Sequence, residues 1–149
     1  MQIRNVQLSD SLSIAGLMTQ LGYPTSGEEM NERLTRLLPL PNHNSYVAEL
    51  SGTVAGFIAL DVNPYYEKNG YYGRILALVV DDRFRGKKIG QQLVEKSEAW
   101  FIERKAGDVL VNSSVKRLDA HRFYENLGYD KTGFRFVKKI SLTPTKFSS

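Results

Sequence analysis

A chain of 149 residues with 42% hydrophobic and 24% charged residues has the composition of an ordinary soluble globular protein, and we expect one domain over residues 1–149. It contains no cysteine, which excludes disulfides, a thiol nucleophile and thiolate metal ligands. No apolar run approaches the roughly 20 residues of a membrane span and no apolar signal core begins the chain, so we expect a cytoplasmic protein without membrane partners.

The net charge of +4 is unevenly distributed along the chain. Residues 1–50 hold three basic and five acidic side chains, a local net charge of −2, so the remaining residues carry +6. A polyanionic ligand is therefore expected in the later part. No dense stripe of lysine and arginine supports nucleic acid as that ligand.

The first 22 residues predict a strand followed by a helix. Residues 1–6 alternate weakly, and Ser9 or Asp10 is placed to cap a helix that continues to about Leu21. Its predicted apolar side consists of Leu12, Ile14, Leu17 and Met18.

A second helix is predicted from a capping box, in which Ser26 is followed three residues later by Glu29. It extends to about Leu38. The side chains expected to face inward are Leu34, Leu37 and Leu38, and those expected to be exposed are Glu28, Glu29, Glu32 and Arg33.

Two strands follow, at residues 44–50 and 53–62, joined by the hairpin turn Ser51-Gly52. The loop at residues 63–73 carries Tyr65, Tyr66, Tyr71 and Tyr72. These tyrosines fit the wall of an acceptor pocket, a dimer contact or ordinary packing at the end of a hairpin.

The central segment, residues 75–90, reads as a buried strand, a charged turn and the start of a helix. Residues 75–80 are apolar and rich in β-branched side chains, which predicts a strand covered on both faces. The helix that follows places one set of side chains on a single face: Ile89, Leu93, Ser97, Trp100 and Phe101.

The junction between this strand and this helix has the chemistry of a pyrophosphate cradle. A helix start offers unpaired backbone N–H groups and partial positive charge. Gly86 and Gly90 allow close approach to the backbone, and Arg85, Lys87 and Lys88 add positive charges. The alternative is a turn whose basic side chains are merely solvated. Neither a Walker loop nor the dinucleotide fingerprint is present.

The last third predicts a helix end at Gly107, a strand at residues 108–112 and a helix from about Lys116 to Leu127 closed by Gly128. A final hairpin ends with a strand at residues 134–140, and residues 141–149 are expected to be a loose tail. The predicted element order is β-α-α-β-β-β-α-β-α-β-β.

Three segments together resemble the GNAT N-acetyltransferase superfamily. Residues 85–90 match its acetyl-CoA motif, although Lys88 stands where the family usually has its first glycine. Asn112-Ser113 and residues 120–129 match its fifth strand and the following helix, and residues 47–57 match its second and third strands. The resemblance implies an α/β fold whose mixed, mostly antiparallel sheet has about seven strands flanked by about four helices.

The resemblance also implies a site for acetyl-CoA. The pantetheine arm would pair with the backbone of Leu78, Val79 and Val80, and Asn112 would bond it from the fifth strand. The pyrophosphate would be held by Arg85, Gly86, Lys87, Lys88, Ile89, Gly90 and Gln91.

Catalysis in this family assigns Tyr124 as the acid that protonates the departing thiolate; the alternative is a core aromatic beside Phe123 and Leu127. Leu76 stands about where many members carry a glutamate base, and residues 75–80 contain no carboxylate. Glu28 and Glu29 are candidate bases, and together with Glu32 they would attract a cationic amine. His43, expected in a loop, has no metal-ligand partner at useful spacing, and no metal is expected.

The leading hypothesis is an enzyme that moves an acetyl group from acetyl-CoA to a primary amine of a small molecule or protein by direct attack. The second is a non-catalytic acyl-CoA-binding or sensing module, suggested by the missing base. A third is a regulatory domain that has lost the cofactor. Dimerisation is common in such domains, so a homodimer is one expectation.

Overall fold

The computed structural model describes residues 1–112, 118–133 and 135–142. The chain divides into two compact units, Met1–Asn112 and Ser113–Ser149. Within the described ranges, no helix is both long enough and apolar enough to cross a membrane.

The first unit contains five strands and three α-helices. The strands are β1 (Gln2–Asn5), β2 (His43–Leu50), β3 (Thr53–Pro64), β4 (Tyr71–Val80) and β5 (Ala106–Val111). The helices are α1 (Ser11–Leu21), α2 (Gly27–Leu37) and α3 (Ile89–Glu103), and short 3-10 turns span Leu8–Asp10 and Asp82–Phe84. The second unit contributes α4 (Leu118–Asn126).

The strands form one mixed sheet in the order β1-β2-β3-β4-β5. The first three pairings are antiparallel and β4 pairs with β5 in parallel, as the predicted fold class requires. The prediction of about seven strands is wrong for the described residues, because residues 135–140 form no strand. Their alternating pattern sets which side chains share a face, but a strand also needs a hydrogen-bonding neighbour. Phe134 lies outside the described residues.

The two faces of the sheet are covered by different helices. On one face α1 and α2 pack against a core that includes Phe57 and Val79. Gly56 points to the opposite face, where a Cβ would lie 3.0 Å from both Ile89 and Leu93 of α3. The buried side chains of α3 are Ile89, Leu93, Val94, Ser97, Trp100 and Phe101, which confirms the predicted helix face.

The capping box of α2 is present: Ser26 accepts from the Glu29 N–H, and the Glu29 carboxylate accepts from the Ser26 N–H. Three leucines predicted to face inward, Leu12, Leu37 and Leu38, are exposed. On α1 the buried side chains are Ser11, Ile14, Ala15 and Leu17, and on α2 they are Met30 and Leu34. The predictions are wrong because the three leucines lie outside these buried faces. Leu37 is the last residue of α2, and Leu38 is its C-cap.

The segment predicted to be covered on both faces is only partly buried. Ile75 and Val79 are buried, but Leu76 is 46% exposed and Leu78 and Val80 are half-buried. The strand also begins earlier than predicted, at Tyr71. Pairing with β5 stops at Ile75, and no strand of the described residues pairs with the rest of β4 on that side.

The end of α3 also differs from the prediction. Lys105, with φ at +60°, takes the left-handed conformation expected of Gly107, and Gly107 lies inside β5. Closure of α4 is as predicted, since Gly128 has φ at +91° and the Tyr129 N–H donates to the Tyr124 carbonyl at 3.0 Å. Three predicted features lie outside the described residues: the start of that helix at Lys116, the strand-end residue Ser113, and residues 143–149 of the tail.

Candidate functional site

Strand β4 separates from β5 halfway along its length. The parallel pairing runs from Tyr71 opposite Ala106 to Ile75 opposite Val111, where β5 ends. In the pairing with β3, Ala59 faces Ala77 and Leu60 faces Ile75, so Leu76 is an extra residue that forms a β-bulge. The bulge therefore lies where the pairing of β4 with β5 ends. Beyond it, β4 has no partner on this side among the residues that the structure describes, and we call this stretch the open edge of β4.

The direction of the backbone groups along this edge follows from one hydrogen bond. The Asp81 N–H donates to the Ala55 carbonyl of β3 at 2.8 Å. Because backbone groups alternate along a strand, the N–H and C=O of Val79 face β3, and those of Leu78 and Val80 face away from it. Of the three predicted strand residues, Leu78 and Val80 line the open edge, whereas Val79 is buried in the α1–α2 core.

A buried aspartate fixes the turn after β4. The Asp81 carboxylate accepts from the Arg83 N–H at 3.0 Å and from the Arg83 guanidinium at 2.9 Å. These bonds lower the pKa of Asp81 to about 2. The N–H of Asp82 donates to the Gln20 side-chain oxygen at 3.0 Å, so the turn is anchored to helix α1.

The N-terminus of α3 follows this turn and lacks a side-chain cap. Its N-cap residue, Lys88, has φ at +59° and makes no side-chain capping bond. The N–H groups of Ile89, Gly90 and Gln91 are therefore available to a ligand, together with the positive end of the helix dipole. This arrangement suits an anion and fits the predicted cradle.

The charged side chains of the cradle are exposed. Arg85 pairs with Asp82 at 2.9 Å, with both side chains open to solvent, and Lys87 is exposed. Gly86 has φ at +80°, and a Cβ there would meet nothing within 4 Å. Lys88 and Gln91 also line an open hollow of about 620 Å³ with Ile3, so their side chains lie toward the β1 edge of the sheet.

Two glycines, which the sequence did not single out, hold α3 against the sheet. Gly56 lies beneath the first turn of α3, and a Cβ at Gly73 would lie 2.4 Å from the ring of Phe101. The helix can therefore approach β3 and β4 closely, and this approach sets the height of its N-terminus above the strand edge. A glycine within an otherwise apolar strand was the available signal.

A row of three polar side chains crosses the sheet on the face opposite α3. His43, Asp61 and Arg74 are directly opposite one another on β2, β3 and β4. Asp61 is 2% exposed and accepts from Nε and Nη2 of Arg74, the first at 2.9 Å. His43, predicted in a loop, is the first residue of β2, and its Nδ1 lies 3.0 Å from the Asn42 side-chain oxygen.

The tyrosine-rich loop lies at the other end of β4 from the cradle. The rings of Tyr65 and Tyr72 are 5.2 Å apart, and Lys68 lies over the Tyr65 ring. The Tyr65 hydroxyl donates to Asp108, which raises the pKa of Tyr65 to about 12. Nine strand steps, about 30 Å, separate Tyr71 from Val80, so this loop lies far from the cradle. For Tyr65 and Tyr72, the distance and these contacts favour packing at the end of a hairpin over the wall of an acceptor pocket.

The remaining predicted residues are distributed over both units. Asn112 is exposed directly after β5. Tyr124 lies on α4 in the second unit, half-buried, with its ring 5.2 Å from Phe123 and 5.7 Å from Tyr129. Part of the aromatic packing expected for a core residue is therefore present. In the described ranges, no group of three or more His, Cys, Asp or Glu side chains could hold a metal ion.

Comparison with known proteins gives a consistent result. The model of the Acetyltransferase (GNAT) family matches residues 14–129. The chain is 39% identical to aminoalkylphosphonate N-acetyltransferase of Salmonella typhimurium over 67% of this chain and 65% of that protein. It is 31% identical to N-acetylaspartate synthetase of Homo sapiens over 62% of this chain and 30% of that protein. The matched part is therefore less than two thirds of either relative.

Among solved structures, glucosamine-6-phosphate N-acetyltransferase from Arabidopsis thaliana superposes with a TM-score of 0.81 and 26% identity. The superposition covers 94% of this chain and 98% of that one.

Proposed function

Because the chain belongs to the GNAT acetyltransferase family, we propose that it transfers the acetyl group of acetyl-CoA to a primary amine by direct attack. One observation carries the proposal: the open strand edge of β4 leads, through the turn at residues 81–88, to the uncapped N-terminus of α3 and its positive side chains. With no cysteine in the chain, an acyl-cysteine intermediate is excluded. Acetyl-CoA supplies an activated thioester, and the residues of the chain bind and orient it.

The cradle would hold the pyrophosphate through two kinds of contact. The N–H groups of Ile89, Gly90 and Gln91 would donate hydrogen bonds, and Gly86 leaves room for the phosphates to reach the backbone. Arg85 and Lys87 would add charge from exposed positions. Lys88 already has the left-handed conformation that the family's usual glycine adopts easily, so its backbone fits the motif and its side chain lies to one side.

The open edge of β4 would receive the pantetheine arm. Leu78 and Val80 would donate and accept the backbone hydrogen bonds that β5 makes farther back along the strand. One of these N–H groups would also polarise the thioester carbonyl. Asn112, exposed just after β5, would bond the arm from the other side of the gap.

Tyr124 would donate a proton to the departing thiolate. A phenol is less acidic than the thiol that forms when the thiolate takes up the proton. The donation therefore assists departure without being indispensable. Replacing Tyr124 with phenylalanine keeps the contact with Phe123 and removes only the hydroxyl. We expect kcat to fall about tenfold while the affinity for acetyl-CoA stays unchanged.

Deprotonation of the amine would not depend on a carboxylate of β4, because Tyr71–Val80 contains none and Leu76 lies at the bulge. Glu29 is a poor base, since its hydrogen bonds with Ser26 lower its pKa. Glu28 is exposed and is the remaining candidate for the base that deprotonates the amine. With the amine reacting in its neutral form, kcat/KM should rise with pH up to the pKa of the amine used, and should shift when the amine is changed.

The acceptor class that these relatives suggest is a small amine with an anionic group. The names of the two curated relatives and of the Arabidopsis structure refer to a phosphonate, an aspartate and a sugar phosphate. We therefore place aminoalkylphosphonates and amino acids first in an acceptor screen. The missing carboxylate on β4 is the one feature that suggests a non-catalytic module, and the names of these relatives refer to N-acetyltransferases or a synthetase.

The test is calorimetric titration of acetyl-CoA into the wild-type protein and an Arg85→Ala/Lys87→Ala variant, followed by an assay of CoA release with a panel of amines. A matched control is Arg33→Ala/Arg36→Ala, which removes two charges from α2. We expect micromolar binding that weakens about tenfold in the cradle variant and not in the control. Absence of binding by the wild-type protein would refute the proposal, and binding without turnover of any amine would favour the sensing module.

A further inference from the structure

Arg74 lies close to the point where β4 leaves β5. It precedes the bulge residue Leu76 by two positions, or roughly 7 Å along the strand. Its neighbour Gly73 faces Phe101 of α3, so Arg74 projects from the opposite face of the sheet. That face is the one not covered by the helix of the cradle.

The Arg74 side chain is held in one orientation by Asp61. The carboxylate of Asp61, 2% exposed, accepts from Nε at 2.9 Å and from Nη2. A two-point contact of this kind fixes the plane of the guanidinium group as well as its position. The pKa of Arg74 rises further above its ordinary value because Asp61 accepts these bonds, so the group stays charged.

The outer edge of the guanidinium group remains available. Of its five N–H bonds, Asp61 takes two, and the side chain is 42% exposed. In the part of the chain that the structure describes, no acceptor other than Asp61 bonds to Arg74. The three remaining N–H bonds have the spacing that matches two oxygens of a carboxylate or a phosphonate.

We propose that Arg74, oriented by Asp61, binds the anionic group of the acceptor and thereby selects amines that carry a phosphonate or carboxylate. This inference rests on the proposed function, because it places the acceptor amine at the bulge and its anionic end at Arg74. A short aliphatic spacer between the two groups fits the separation along the strand.

The chain supplies a matched control in a second arginine–aspartate pair. Arg4 of β1 makes two bonds of 2.9 Å to Asp10, which is also buried. This pair lies at the opposite edge of the sheet from β5. Arg4→Gln therefore removes the same kind of contact without touching the proposed acceptor site.

The experiment compares aminomethylphosphonate with methylamine as acceptors for wild type, Arg74→Gln, Arg74→Lys and Arg4→Gln. We expect Arg74→Gln to raise KM for aminomethylphosphonate roughly 10- to 100-fold, as expected for losing hydrogen bonds to a charged group. KM for methylamine and for acetyl-CoA should stay unchanged. Arg74→Lys keeps the positive charge but loses the two-point hydrogen-bonding geometry of the guanidinium group. Its KM for aminomethylphosphonate should therefore lie between those of wild type and Arg74→Gln. Arg4→Gln should match wild type.

A binding measurement separates this inference from the proposed function. Aminomethylphosphonate is titrated into each variant saturated with CoA, and a thermal melt verifies that each variant is folded. Binding that depends on Arg74 supports the inference even if no amine is turned over, in which case the proposed function alone fails. No binding to wild type, or an equal preference for the phosphonate in wild type and Arg74→Gln, would overturn the inference.

Discussion

The two cationic regions along β4 are built in opposite ways. At its C-terminal end, Arg85 and Lys87 are exposed, and the bond of Arg85 to Asp82 joins two solvent-exposed side chains. Before the bulge, one arginine is fixed by a carboxylate that is almost completely buried. The proposed cradle would therefore rely on many weak contacts, chiefly backbone N–H groups, whereas Arg74 would act as a single oriented donor.

This difference predicts how each region responds to substitution. Exposed charges contribute little individually because water and salt screen them. A fixed donor next to a buried partner contributes more, because its orientation is settled before the ligand arrives. Each substitution in the cradle should therefore weaken acetyl-CoA binding by a small amount, whereas the single substitution of Arg74 should remove most of the affinity for the anionic group of the acceptor.

The largest effect is expected at Gly73, on which both regions depend. A Cβ there would lie 2.4 Å from the ring of Phe101, which is 1% exposed and cannot move aside. Gly73→Ala should lower the free energy of unfolding by about 3 kcal/mol in urea titrations. Gly16→Ala on α1, with nothing within 4 Å, should instead raise it by about 0.5 kcal/mol. Equal stability of the two variants would show that α3 is not held against β4 in this way.

Graded loss in the cradle is the next prediction. Arg85→Ala and Lys87→Ala should each weaken acetyl-CoA binding about threefold, and the double variant about tenfold, because the contributions of exposed charges add. The loss should shrink as salt is increased. Calorimetry at low and high salt checks this. A single substitution that abolished binding would place Arg85 or Lys87 in the same class as Arg74.

The pH dependence of stability tests how the turn is anchored. The pKa of Asp81, at about 2, lies below that of an unfolded chain, chiefly because Arg83 donates to it. A lowered pKa stabilises the fold above the unfolded-state value of about 4, and this contribution is lost as the pH falls through about 2. Asp81→Asn should be less stable than wild type at about pH 7, with the difference shrinking between about pH 4 and pH 2. Denaturant titrations over that range measure it, and a constant difference would contradict the assignment.

The smallest effect is expected at Lys88. With φ at +59°, this residue occupies a conformation that costs any residue with a side chain about 1 kcal/mol. Glycine avoids this cost, but its greater conformational entropy in the unfolded state offsets part of the gain. Lys88→Gly should raise the free energy of unfolding by about 0.5 kcal/mol, with little change in acetyl-CoA affinity. A loss of stability would indicate that the Lys88 side chain makes a stabilising contact in the hollow near Ile3.

Local patterns were sufficient to predict much of the first unit. The capping box of Ser26 and Glu29, the turn at Ser51-Gly52 and the buried face of α3 each depend on residues close in sequence. The start of α3, where the proposed cradle lies, was predicted in the same way, because a helix start and its glycines are read directly from the chain.

Features that depend on distant contacts were missed. Asp61 and Arg74 are 13 residues apart, and their pairing depends on the register of two strands and on a bulge at Leu76. The exposure of Leu12 and of the open edge of β4 depends on how far the neighbouring helices and strands extend, which the local sequence does not show. The pattern at residues 135–140 predicted a strand, but alternation alone does not provide a partner.

One kinetic experiment tests the central claim, that β4 serves two substrates through two separate regions. Acetyl-CoA and aminomethylphosphonate are both varied for wild type, Arg85→Ala/Lys87→Ala, Arg74→Gln and the combined variant. The account predicts that the cradle variant raises only the KM for acetyl-CoA, that Arg74→Gln raises only the KM for the acceptor, and that the combined variant shows both changes unaltered. A change of both KM values by either variant alone would contradict it.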